Sequence, residues 1–158
     1  MKFPTVHHEA YRMDYGERWQ MGIIDREPPL PGMPYPVLVP RVDTIGNELG
    51  GIRNLELEVP LATYFPWNLR LGMPGPQDEL TDFLGTYVPL PRNPGEKIRS
   101  GDPRPDIVSL YTNREGYRIK VDRALKKLVK EGFLLGEDTV YMATHAMKLW
   151  DSLMEKHE

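Results

Sequence analysis

A chain of 158 residues, 40% hydrophobic and 27% charged with a formal net charge of −3, has the makeup of an ordinary soluble globular protein. The charge balance gives no global pull toward nucleic acid or an anionic membrane, and no apolar run approaches the ~20 residues needed to span a bilayer. The absence of cysteine excludes disulfides, thiolate nucleophiles and cysteine-ligated metals.

Proline divides the chain. All 16 prolines lie at or before Pro105 and none follows. Because proline fixes φ and removes a backbone donor, it keeps long helices out of the first two-thirds of the chain. The expected fold class is therefore α+β: a small antiparallel β unit with proline-rich loops, followed by a C-terminal helical pair. As one domain or part of one, the chain reads as an extended arm (1–34), a β/loop part (35–105) and a helical part (106–158).

The start, MKFPTVHHEAYRMD, has no apolar core of a secretory signal, and no compartment is implied. Glu27 to Gly32 should run extended, near polyproline II. Tyr11, Met13, Tyr15, Trp19, Ile23 and Ile24 are too apolar for a disordered tail, so the arm should pack on something. His7, His8 and Glu9 are better explained by solvation than by a metal, and no metal site is expected.

Pro36–Val42 is rich in β-branched residues and reads as a strand with prolines at its shoulders, Pro40 pointing to an edge strand or a bulge. Asp43–Asn47 reads as a hairpin turn, with Gly46-Asn47 suited to positive φ. Calcium loops need oxygen ligands at alternate positions, and Ile45 occupies one of them. Leu55, Leu57 and Val59 alternate with Glu56 and Glu58, as in a half-buried strand. Trp67, Asn68 and Arg70 follow in an aromatic loop. Aromatic area beside an amide and a guanidinium can line a substrate pocket, and anchoring a proline-broken loop is the blander reading of the same residues. Leu71–Pro105 reads as loop, with a short helix at Asp78–Leu84.

Thr112 to Glu115 fits a capping box. Tyr117, Val121, Ala124, Leu125 and Leu128 then lie on one face of a helix that stops at Gly132. Val140, Ala143, Met147, Trp150 and Met154 form the apolar face of a second helix. Arg118, Lys120, Arg123, Lys126, Lys127 and Lys130 lie mostly opposite the first stripe, as a solvated face requires. DRALKKLVKEGFLL resembles half of a winged-helix module, but a helix follows where two wing strands should, and from Asp106 onward nine basic residues balance nine acidic ones. Nucleic acid is not an expected partner.

Chemistry is scarce. The three serines are Ser100, Ser109 and Ser152, and the four histidines are His7, His8, His145 and His157. No serine sits in Gly-x-Ser-x-Gly, the turn that exposes a hydrolase nucleophile, and no phosphate-binding glycine loop follows a strand. No catalytic residue and no cofactor is assigned.

Three blocks, YPVLVPRVDTIGNELGGI, VPLATYFPWNLR and SGDPRPDIVSLY, with GIIDREPPLPGMPYP upstream and the two final helices, resemble the C-terminal region of the α/β-hydrolase domain-containing proteins, large serine hydrolases of esterase type. The likeness covers about Met13 to Asp151. It departs at Ile45, where an acidic residue is expected, and at Phe65-Pro66, where a small or polar pair is expected. In that family the serine-bearing segment lies upstream of the matched region. The resemblance therefore implies a non-catalytic tail whose partner is an upstream hydrolase segment or another copy of the chain. A region shaped to pack on a hydrolase core should expose apolar surface when alone, such as Trp19, Ile24 and Trp67. A stand-alone binding module is the alternative.

Overall fold

The computed structural model describes residues 10–36, 38, 40–68 and 84–155. They form two units, one built from residues 10–36 and 38, the other from residues 40–68 and 84–155. The fold class is α+β, with two small antiparallel sheets and the long helices at the end of the chain.

The first unit is a hairpin of β1 (Tyr11–Asp14) and β2 (Leu30–Pro34). Tyr11 faces Pro34 and Asp14 faces Leu30, with a bulge between Tyr11 and Met13. The segment expected to run as polyproline II thus becomes, from Leu30 onward, a paired strand. Between the strands, Asp25 accepts hydrogen bonds from the Arg18 amide (2.9 Å) and Nε (2.7 Å). The rings of Tyr15 and Trp19 stack at 4.4 Å. Every residue of this unit is exposed or half-buried, and none is buried.

The second unit has the core. It begins with the Asp43–Asn47 turn, where Gly46 takes a φ of +92°. The Asp43 carboxylate accepts the amides of Ile45 (2.9 Å) and Asn47 (3.0 Å). Of the strand expected at Pro36–Val42, only Val42 pairs among the described residues, in a single bridge to Glu48. Pro36 and Pro40 withhold the donors that a longer ladder needs. The strand expected at Leu55–Val59 is instead a helical turn, α1 (Leu55–Glu58), capped by the Asn54 side chain on the Leu57 amide. Leu55 and Val59 are buried while Leu57 is only half-buried, so the spacing that matters there is four, not two.

β3 (Ala62–Phe65) and β4 (Thr86–Pro89) pair antiparallel, with Thr63 opposite Val88 and Tyr64 opposite Tyr87. Two short helices follow, α2 (Pro94–Ser100) where loop was expected and α3 (Ile107–Tyr111) at the start of the part read as helical. Each opens on a side-chain cap, Asn93 and Asp106, and α2 carries Pro94 in its first turn, where a missing donor costs nothing. The short helix expected at Asp78–Leu84 lies outside the described residues, Leu84 excepted.

α4 (Arg114–Lys130) buries Tyr117, Val121, Ala124, Leu125 and Leu128, the whole expected stripe. Its cap is Asn113, which accepts from the Gly116 amide, and not Thr112 as the capping-box reading has it. Thr112 serves the corner before it. With φ of 67° and ψ of −56°, and the Asn113 amide donating to Tyr111 O at 2.8 Å, it makes a tight γ-turn. A Cβ on Gly116 would lie 2.0 Å from Tyr111 O, so only glycine admits this corner.

At the far end of α4, the Phe133 amide bonds Leu128 O and the Gly132 amide bonds Val129 O, a Schellman closure. α5 (Thr139–Met154) packs back on α4. Trp150 and Ala146 are buried in the seam, Ala143, Met147 and Met154 are half-buried, and Val140, expected in the stripe, is exposed. Among the described residues no helix is long and apolar enough to cross a membrane.

Candidate functional site

The three sequence blocks meet in space. Asp43 and Asn47 come from the first, Thr63 and Tyr64 from the second, Asp102 and Arg104 from the third, and all belong to the second unit. Asn47, Thr63, Asp102 and Arg104 are buried, an unusual density of polar groups that must be satisfied internally to be tolerated.

They are. Arg104 Nε donates to Asp102 Oδ1 (3.0 Å) and Nη2 to Asp102 Oδ2 (2.6 Å), a two-pronged ion pair. Nη1 also donates to Thr63 Oγ1 (2.9 Å) and to Val88 O (2.8 Å), and Nη2 to Pro89 O (2.8 Å). Each N–H of the guanidinium is therefore committed. The Thr63 hydroxyl in turn donates a hydrogen bond to Ile45 O. Asn47 flanks β3 like a strand, donating to Ala62 O (3.0 Å) and accepting the Tyr64 amide (2.8 Å). Thus Asn47 binds outward backbone groups of β3 and Arg104 binds two carbonyls of β4, which helps to protect a two-stranded sheet.

A cleft of about 300 Å³ lies beside this clamp, bounded by the Asp43–Gly46 turn, Phe65, Pro103 and Arg104. The guanidinium contributes its wall but, being fully engaged, is a framework group and not a substrate ligand. Arg53 Nη2 reinforces the turn by donating to Asp43 Oδ2 (2.9 Å) and to Leu57 O (2.5 Å).

The carboxylates are tuned accordingly. The Arg104 hydrogen bond holds Asp102 below its ordinary value. Burial opposes the charge on Asp43, but Arg53 and the amides of Asn47 and Ile45 outweigh it and leave Asp43 lowered. Burial likewise opposes Asp106, which the Ser109 hydroxyl and amide bring down. All three bind protons less readily folded than unfolded, so their stabilisation is complete above the ordinary aspartate range, about pH 4. It is lost as pH falls through the lower folded values. Thermal melts followed by circular dichroism should give a flat Tm from about pH 7 to 5 and a steep fall below about pH 4; an unchanged Tm down to about pH 2 would contradict the assignment.

Of the expected pocket residues, Trp67 is half-buried, its carbonyl accepts from Thr86 Oγ1 (2.8 Å), and its ring sits 5.0 Å from that of Phe65. Those contacts tie the loop after β3 to β4. Asn68 is half-buried as well, and Arg70 lies outside the described residues. His7, His8 and Glu9 also lie outside them. Ser109 Oγ donates to Asp106 (2.6 Å), the cap of its own helix, while His145 stacks on Tyr141 at 6.4 Å between centroids.

Sequence reasoning missed Asn47, Thr63, Asp102 and Arg104. The available signal was the Asp-Pro-Arg-Pro run, an acid and a base spaced for a local pair and held extended by the flanking prolines.

The class so defined is an α+β scaffold knit around a buried carboxylate–guanidinium clamp, with a shallow cleft at its side. A family model described as an alpha/beta hydrolase domain matches residues 6–144. The chain belongs to that alpha/beta hydrolase domain family. No curated protein and no solved structure matches it.

Proposed function

We propose that this chain is the non-catalytic C-terminal portion of an esterase-type α/β hydrolase, a segment that packs on the hydrolase core and shapes the mouth of its active site. The observation that carries this reading is the hairpin unit. Trp19 is 49% exposed, Ile24 50%, Met21 70% and Met33 81%, with nothing in the unit buried. An isolated two-stranded hairpin is marginal in water, and so many large apolar side chains exposed on so small a unit call for a cover. Trp67, Asn68 and Arg70 are the residues we assign to a substrate-facing loop.

The purified chain should then show no turnover of p-nitrophenyl butyrate above the buffer rate. Hydrolysis by the pure chain that disappears in Ser100→Ala, Ser109→Ala or Ser152→Ala would overturn the reading.

The second reading, a stand-alone interaction module, draws on the core of the other unit, where Leu61, Ile107, Val121, Tyr117 and Trp150 are all at or below 4% exposed. A stable monomer with no affinity for any hydrolase segment would favour it.

A further inference from the structure

A second groove lies along α4, sharing only Ile45 with the cleft beside Arg104. Its volume is about 370 Å³ and its floor is apolar, made by Ile45, Val59, Leu110 and Tyr111. Three cations one turn apart, Lys120, Arg123 and Lys127, form one wall. Glu58 is the only acid lining the groove among the described residues.

The outer two cations are held in place. Lys120 Nζ donates to Leu110 O (2.7 Å) and lies 4.9 Å from the centre of the Tyr111 ring. Lys127 Nζ donates to Glu58 Oε1 at 2.9 Å. Between them, Arg123 has no hydrogen bond or ion pair among the described residues. A planar guanidinium flanked by two fixed ammonium groups matches a carboxylate, which it can hold through two parallel hydrogen bonds. The floor takes an apolar tail. The volume falls in the range of small-molecule pockets and is small for the patch that a folded protein partner would cover.

We propose that this groove binds an amphiphilic carboxylate, with Arg123 on the headgroup and the Tyr111–Leu110 floor under the tail. The inference stands apart from the hydrolase reading, since it uses none of the residues assigned there. Titration of decanoate into the full chain, followed by calorimetry below the micelle concentration, should show saturable binding. Decanol, with the same tail and no charge, should bind about tenfold or more weaker, as should decanoate to Arg123→Ala. Arg123→Lys, which keeps the charge but loses the fork, should fall between. Arg123 is exposed, so melting curves of both variants should match the parent. Equal binding of decanol and decanoate, or an unchanged affinity in Arg123→Ala, would overturn the proposal. So would a glutamate-rich peptide that binds through Arg123 while decanoate does not, which would assign the groove to an acidic protein segment.

Discussion

Arg104→Met should lower the unfolding free energy by about 3–5 kcal/mol, the cost of leaving a buried charge without its partner. The substitution keeps the volume of the stem but strands Asp102, whose side chain is 4% exposed. It also frees Thr63 Oγ1 and the carbonyls of Val88 and Pro89, which lose their donors together. Arg104→Lys should recover only part of the loss, because a single ammonium cannot span Asp102 and two strand carbonyls at once. The double variant Asp102→Leu with Arg104→Met should be milder than Arg104→Met alone, since an apolar pair leaves no stranded charge. Urea denaturation followed by far-UV circular dichroism reads all three. A loss under about 1 kcal/mol for Arg104→Met would mean that water screens the pair as it does at a surface.

Trp150→Ala should cost about 3–5 kcal/mol as well, by a different route: lost apolar transfer plus the cavity that remains. The indole is 4% exposed, stacks on Tyr117 at 4.9 Å and meets the edge of Tyr111 at 6.0 Å. Tyr111 in turn donates its hydroxyl to Pro60 O (2.7 Å). This one side chain therefore ties α5 to α4, to α3 and, through Tyr111, to the approach to β3. Trp19→Ala is the control. Trp19 lies on the exposed hairpin and contacts chiefly the Tyr15 ring, so the same denaturation assay should move by no more than about 0.5 kcal/mol. If both tryptophans cost the same, the core does not lie where the structure puts it.

The parts of this fold that could be read in advance are those where one pattern persists over several turns. The α4 stripe spans Tyr117 to Leu128, and twelve residues separate period 3.6 from period 2 without ambiguity. Leu55–Val59 spans only five, over which alternating leucines and glutamates also satisfy one helical turn. There the decisive residue was Asn54, whose side chain caps the Leu57 amide. The capping box at Thr112 failed for a related reason. Thr112 and Asn113 are both acceptable caps, and the choice was made by a corner that needs Gly116 against Tyr111 O. The buried clamp was legible only as a local oddity. Asp102 and Arg104 are neighbours in the chain, but Thr63, Val88 and Pro89 reach the guanidinium from far along it, and no local pattern reports such a meeting.

The clamp also explains why the three blocks are rich in polar and proline residues. Their residues hold one another, Asn47 to β3 and Arg104 to Asp102, Thr63 and β4, while Arg53, just after the first block, holds the Asp43 turn. What they build is a hydrogen-bonded support for β3 and β4, the strands that the Trp67 loop follows and contacts.

The most direct test is sedimentation velocity on the pure chain, alone and mixed with a family hydrolase segment carrying Gly-x-Ser-x-Gly, with p-nitrophenyl butyrate hydrolysis read on the same samples. The account predicts a one-to-one complex in the mixture, with hydrolysis well above that of either component. A mixture that sediments as two independent species, with activity no greater than their sum, would contradict it.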